Sequence, residues 1–153
     1  MTYKKTILNH YRNIVKQASL QLKNTQMPKE GWVATLRKAL GISGAQLARR
    51  LNVSRASVSQ AEKKEITGNI TINHLQKMAK ALDSRLVYAI IPNKDIKSTI
   101  QKQANKKATD LVRKTSQHMA LENQSLNQAK IQEQIKQLEE ELIKDMPSDF
   151  WDK

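Results

Sequence analysis

The chain has 153 residues, with 27 Lys or Arg against 14 Asp or Glu and no Cys, and its formal net charge is +13. The lack of Cys excludes a disulfide scaffold, a thiolate zinc site, an iron–sulfur cluster and a cysteine nucleophile. With 39% apolar residues but only four Gly and three Pro, the composition favours a mostly α protein over a disordered chain.

The positive charge points to a polyanionic partner. Residues 125–153 carry four basic and seven acidic side chains, so the excess of cations lies in residues 1–124. Basic proteins bind phosphate backbones by releasing condensed counterions, which makes nucleic acid the leading partner. An anionic membrane surface is less favoured, because the basic helices are poor in aromatics. The most apolar run, residues 86–91, is far shorter than the about 20 residues of a membrane span, and no signal peptide precedes it, so a cytoplasmic protein is expected.

Residues 1–27 predict an N-terminal amphipathic helix. Ile7, Tyr11 and Ile14 recur at helical spacing, with polar and basic residues between them. Pro28 closes this segment. Residues 28–84 then show four shorter helical patterns separated by tight turns, which is typical of a compact helical domain.

Residues 85–92 differ from the rest, because they are rich in β-favouring side chains and stop at a proline. We expect a short strand here. A single strand must pair its backbone outside itself, and the same strand of a second copy is the nearest candidate, which predicts a homodimer. The residues expected at this contact are Leu86, Val87, Tyr88, Ala89, Ile90 and Ile91.

Two further helices are expected after Pro92. Residues 93–124 predict a long basic helix, and residues 125–153 predict an acidic helix followed by an aromatic tail. Phe150 and Trp151 of that tail either fold back onto the helices or stay exposed as an anchor for another protein.

Residues 43–62 hold the pattern with the clearest functional meaning. Ser43 can cap a first helix, Asn52 can end it in the left-handed conformation, and Ser54 can cap a second helix. The apolar spacing turns a face of short polar groups outward on the second helix. Two helices joined in this way form a helix-turn-helix.

Four features of this stretch stand at a characteristic spacing: Leu47-Ala48, Val53-Ser54, Val58-Ser59 and Glu62. With them, residues 32–83 resemble the helix-turn-helix domain of phage-repressor-type regulators, the xenobiotic-response-element family. The resemblance implies a lambda-repressor-like domain of five helices that binds DNA.

The resemblance also implies a buried structural ion pair between Arg37 and Glu62. Family members often have Gln at the second position of the first motif helix, where it touches phosphate, whereas this chain has Gly44. The backbone N–H groups of Ser43 to Ala45, at the start of the helix, can bind a phosphate without that side chain.

Short runs extend a second likeness over nearly the whole chain: residues 28–32, 36–41, 46–51, 86–89, 118–122 and the closing Phe150-Trp151-Asp152. With them the chain resembles the family named mobile mystery protein A. The resemblance implies the regulator or antitoxin half of a two-gene module, whose other gene encodes a Fic-domain protein, mobile mystery protein B.

Arg55 is the first candidate for reading a base, since its planar fork can take two hydrogen bonds from guanine; a phosphate is its alternative partner. Gln60 suits adenine or solvent, and Ala56 suits a thymine methyl or merely leaves room. Ser57 and Ser59 suit phosphate or water. The residues expected to contact DNA are Ser43, Gly44, Ser54, Arg55, Ala56, Ser57, Ser59, Gln60 and Lys63.

The sequence therefore predicts a dimeric DNA-binding regulator that represses its own promoter through a palindromic operator. The alternative is a protein-inhibiting antitoxin, in which residues 95–153 bind a Fic-type toxin and DNA binding is secondary. No nucleophile, phosphate-binding loop or paired carboxylates indicate catalysis, so neither an enzyme nor a cofactor or metal is expected.

Overall fold

The computed structural model describes residues 2–121 and 127–153, and in these ranges the protein has seven helices and no strand. The prediction of a mostly α protein is confirmed. The expected boundary between the two C-terminal helices, at residues 124 and 125, lies outside the described residues, as does Glu122 of the 118–122 run. The helices are α1 (Thr2–Leu22), α2 (Trp32–Ala39), α3 (Gly44–Leu51), α4 (Arg55–Thr67), α5 (Ile72–Ala81), α6 (Ile96–Leu121) and α7 (Gln128–Asp145).

The chain divides into two compact units. One consists of Ala18–Ile90 and contains α2 to α5. The other joins Met1–Gln17 to Ile91–Lys153 and contains most of α1 together with α6 and α7. Each unit has its own apolar core. No described helix combines the length and apolar character that a membrane crossing requires.

Helices α2 to α5 pack around one core, in which Leu47 and Met78 are completely buried. Residues 28–84 form four helices, whereas the resemblance implied five. The chain leaves helical geometry after α5 at Asp83, whose φ is +52°, and β-favouring residues follow instead of a further helix. The buried residues of this core are Val33, Leu47, Ala48, Val58, Ala61, Met78 and Leu82.

Local signals set the ends of the two central helices. Ser43 begins α3 with a capping box: its Oγ accepts from the Gln46 N–H at 3.1 Å, and its own N–H donates to Gln46 Oε1 at 2.7 Å. Asn52 ends α3 in the left-handed conformation, at φ +55°. Ser54 Oγ then accepts from the Ser57 N–H at 3.1 Å and caps α4. The predicted turn between these helices is therefore built from their own capping residues.

The start of α2 is capped by a distant helix. Gly31 has φ +82° and provides no side-chain cap. Instead, the carboxylate of Glu65 on α4, which is 8% exposed, accepts the N–H of Trp32 at 2.6 Å and that of Val33 at 3.1 Å. A negative charge at the positive end of a helix also interacts favourably with the helix dipole. Glu65 thus ties α4 to the first turn of α2.

Residues 85–91 do not form the predicted strand. They are irregular and follow α5 without pairing to any part of the described chain. The physical reason is that a strand needs a neighbour for its ladder of hydrogen bonds, and the chain provides none. Ile90 is 91% exposed, and Val87 and Tyr88 are each 66% exposed, so these three side chains face outward.

Helices α6 and α7 pack closely against each other. Ala104 and Ala108 are completely buried and, being small, let α7 approach the backbone of α6. The apolar row on α6 continues in steps of four to Val112, which is 7% exposed, while the neighbouring Leu111 is 42% exposed. The described buried core of this unit is Ile100, Ala104, Ala108, Val112, Ile135, Leu142 and Phe150.

The aromatic tail closes this core. Phe150 is 1% exposed, and its carbonyl accepts from Gln103 Nε2 at 2.8 Å. Lys107 Nζ lies 2.9 Å from Asp149 Oδ2 and also donates to the backbone carbonyl of Asp149. Trp151 is 55% exposed, and its ring stands nearly perpendicular to that of Phe150, with the ring centres 5.1 Å apart. The two predicted alternatives for the tail thus apply to different residues. Phe150 folds back onto the helices, whereas Trp151 remains exposed.

We predict that Gly31→Ala destabilises the protein more than Gly41→Ala. Both positions have positive φ, +82° and +68°, so both substitutions strain the backbone by about 1 kcal/mol. A Cβ at Gly31 would lie 2.7 Å from Glu65 Oε2, whereas a Cβ at Gly41 meets nothing within 4 Å. Displacing the cap should cost about 1 kcal/mol more. Urea unfolding measures the free energy of unfolding of both variants. An equal decrease for Gly31→Ala and Gly41→Ala would contradict the role of Glu65 as the cap of α2.

We predict that acid breaks the side-chain ion pair between Lys107 and Asp149. The hydrogen bond and charge of Lys107 lower the pKa of Asp149, so the contact is intact at neutral pH and is lost as pH falls through that lowered pKa. Trp151 fluorescence, recorded in a Trp32→Phe background, should change below about pH 4. Lys107→Gln should move this midpoint upward, while Lys106→Gln should not. An unchanged midpoint in Lys107→Gln would show that the contact does not set it.

Candidate nucleic-acid interface

Helix α4 turns its short polar and basic side chains outward. Val58 and Ala61 are 2% and 3% exposed and face the core. Because successive helix residues advance by about 100°, Ala56, Gln60 and Lys63 fall on the opposite side, where all are exposed. We call these three residues the outer face of α4. It has the small size and mixed donors that suit a helix placed in a DNA groove.

The N-terminal turn of α4 borders this face. Arg55 and Ser59 are exposed along one edge, and Arg55 makes no hydrogen bond or ion pair with the described residues. On the other edge the Ser57 hydroxyl lies 2.9 Å from Ser54 Oγ. Ser54 and Ser57 therefore shape the start of the helix, while the guanidinium of Arg55 is available to a partner.

The start of α3 offers backbone donors. The Ser43 N–H is already bonded to the Gln46 side chain, and the Gln46 N–H is bonded to Ser43 Oγ. The N–H groups of Gly44 and Ala45 belong to the first turn, which has no partners within its own helix. These two groups, at the positive end of α3, are the donors suited to a phosphate. The sequence had favoured all three N–H groups from Ser43 to Ala45.

An ion pair joins α2 to α4 behind the outer face. Arg37 Nε donates to Glu62 Oε1 at 2.7 Å, and Arg37 Nη2 donates to Glu62 Oε2 at 3.2 Å. Arg37 Nη1 also donates to the Ile42 carbonyl at 3.1 Å. The two side chains are 13% and 16% exposed. The hydrogen bonds that Arg37 donates to Glu62 raise the pKa of Arg37, although burial acts in the opposite direction.

Basic residues surround the motif, and they differ in whether their side chains bond to other parts of the protein. Arg50 Nη1 donates to the Ala81 carbonyl at 3.0 Å and thus links α3 to the end of α5. Arg49, Lys63 and Lys64 are exposed. The latter three side chains are placed to meet phosphates by charge, whereas Arg50 also has a structural role.

Glu65 is the residue of this region that sequence reasoning missed. It lies one turn after Glu62, and together they attach α4 to both halves of α2. Its signal was the spacing of two carboxylates, three residues apart, on the inward side of α4. A glycine before Trp32, where a side-chain cap is expected, was the complementary signal.

The expected dimerisation residues lie beside this domain. Val87, Tyr88, Ala89 and Ile90 are exposed, while Leu86 and Ile91 are half-buried. Their exposure leaves the four side chains accessible to another molecule.

Residues 33–88 match a family model described as Helix-turn-helix. The matched range covers nearly all of α2 and the whole of α3, α4 and α5. This match supports the phage-repressor, or xenobiotic-response-element, type of helix-turn-helix domain and with it a DNA-binding regulator. The chain matches no curated protein and no solved structure.

We predict that Arg37→Ala unfolds the domain rather than merely weakening DNA binding. Removing one partner of a sheltered ion pair leaves the other charge unmatched, at a cost of about 3 kcal/mol. Lys38→Ala is the control, because the pair of Lys38 with Glu30 is 56% exposed on both sides and should matter little. Thermal unfolding followed by circular dichroism measures both. An unchanged melting temperature for Arg37→Ala would refute the structural role.

Proposed function

We propose that this protein is a sequence-specific transcriptional regulator that binds a palindromic operator as a homodimer. The observation that supports this most directly is the exposed outer face of α4, held in place from behind by Glu62 and Glu65. A recognition helix must present side chains without disturbing its own core, and α4 satisfies this requirement. The net charge of +13 supports a phosphate-bearing partner.

We assign distinct roles to the exposed residues of α4. Arg55 reads guanine, Gln60 reads adenine through its amide, and Ala56 contacts a thymine methyl. Lys63 and the N–H groups of Gly44 and Ala45 contact phosphate and fix the register of the helix. Base readers discriminate between sequences, whereas phosphate contacts strengthen binding to every sequence.

A two-fold dimer would place two copies of α4 in successive major grooves. The half-sites would then lie about 34 Å apart, or a multiple of that distance. The exposed segment that contains Val87, Tyr88 and Ile90 supports a contact between subunits through side chains, without requiring a strand. Binding across a promoter would block transcription, and the promoter of its own two-gene module is the proposed target.

The second candidate function is inhibition of a Fic-type toxin by residues 95–153. Its support is that α6 and α7 have a core of their own, separate from the helix-turn-helix unit, and that Trp151 is 55% exposed. An exposed Trp is typical of the anchors of protein interfaces. Trp151→Ala should weaken capture of the neighbouring gene product and leave operator binding unchanged.

We predict that Arg55→Ala relaxes sequence selectivity. DNA selected from a random pool by the purified protein provides the specific probe, and a scrambled duplex provides the reference. Loss of a guanine contact worth about 1–3 kcal/mol should weaken specific binding by about tenfold or more, with little change on scrambled DNA. Arg113→Ala removes the same charge from the exposed side of α6 and is the matched control.

Two outcomes of this experiment would alter the proposal. Equal loss on both duplexes would reassign Arg55 to phosphate. A pool that shows no enriched sequence would reject sequence-specific regulation itself.

A further inference from the structure

Helix α1 carries a row of large apolar side chains that remain exposed. Tyr3 is 80%, Ile7 41%, Tyr11 62% and Ile14 54% exposed. They follow one another at steps of four, four and three residues, which places them on one side of the helix. We call these four residues the α1 seam. A contiguous row of this kind marks an interaction surface rather than ordinary scattered exposure.

The seam is not the side by which α1 meets the rest of its unit. Arg12 Nη2 donates weakly to Met146 Sδ at 4.0 Å, and Arg12 and Val15 are half-buried. At about 100° per residue, Val15 lies roughly a quarter turn from the centre of the seam and Arg12 more than a third of a turn from it. The seam is therefore free to contact another molecule while α1 keeps its place.

The charges of α1 restrict what that molecule can be. The helix has no acidic residue, and Lys5 and Lys16 lie on roughly the opposite side from the seam. His10 lies on one border of the seam, and Lys4 lies near the other border at the first turn. Two such helices can thus meet seam to seam while most of their cations point away from each other.

A membrane surface fits this arrangement poorly. An amphipathic helix that lies in a lipid interface keeps its cations beside the apolar face, where they reach the anionic head groups. Here a helix with its seam in the lipid would hold Lys5 and Lys16 away from the surface. The spacing of four, four and three residues instead suits side-by-side packing with another helix.

From these observations we infer that the α1 seam packs against the α1 seam of a second copy of this chain. The inference rests on the proposed function, which requires two copies of the chain. It adds a contact between helices to the dimer contact that the sequence predicts at residues 86–91. It accounts for the exposed row of large apolar side chains at Tyr3, Ile7, Tyr11 and Ile14. It also leaves the cations of both α1 helices on the outside of the pair.

Single cysteines provide a direct test, because the chain contains none. Ile7→Cys, Tyr11→Cys and Ile14→Cys are introduced separately into the full chain, with Asn9→Cys and Asn13→Cys as controls on the polar side. Under mild oxidation, at least one seam position should form a disulfide-linked dimer and neither control should. All three seam positions react in a parallel pair, whereas in an antiparallel pair Ile7→Cys and Tyr11→Cys, which are nearest the middle of the seam, react in preference to Ile14→Cys.

Sedimentation equilibrium provides a second measurement that needs no cysteine. The double variant Ile7→Lys/Ile14→Lys should raise the dissociation constant of the dimer by about tenfold or more, which corresponds to at least about 1.4 kcal/mol. Asn9→Lys/Asn13→Lys adds the same charge on the polar side and should leave the constant within about twofold of that of the unmodified chain. Circular dichroism checks that α1 remains helical in both variants.

Several results would overturn the inference. One is equal cross-linking at seam and control positions, and another is cross-linking at Val87→Cys with none at the seam positions. A third is a dimer dissociation constant that Ile7→Lys/Ile14→Lys leaves unchanged. Binding of the monomeric chain to anionic vesicles, lost in the seam variant, would assign the seam to lipid instead. Each result is distinct from failure of the proposed function, which is measured by sequence selection and Arg55→Ala.

Discussion

The position of α4 depends on two carboxylates that it directs at α2. Glu65 accepts two backbone N–H groups at the start of α2, and Glu62 binds Arg37 farther along the same helix. Because the carboxylates are one turn apart on the inward side of α4, they fix both its distance from α2 and its rotation about its own axis. That rotation determines which side chains point outward.

The ends of the helices could be predicted because their signals are local. Ser43, Asn52 and Ser54 act on residues within three or four positions of themselves, and the structure uses each of them as a cap. Exposure of Arg55 and Gln60 likewise follows from helical periodicity once the inward residues are known. The chemistry of the candidate site is therefore largely readable from residues 43–63.

What could not be predicted depends on contacts between distant residues. The cap from Glu65 to Trp32 spans 33 positions and has no pattern at either end beyond a glycine and a carboxylate. The strand at residues 85–91 was wrong because β-favouring side chains do not provide a partner for the backbone. The fifth helix was wrong because family likeness does not decide how the chain continues after Asp83.

The most direct test of the account is an NMR titration of the labelled full chain with its selected duplex. If the outer face of α4 enters the groove and the start of α3 contacts phosphate, the amide signals of residues 44–45 and 54–63 should shift or broaden first. The signals of residues 128–145 in α7 should change little. Shifts confined to α6 and α7, with α4 unaffected at saturating DNA, would contradict DNA recognition by α4.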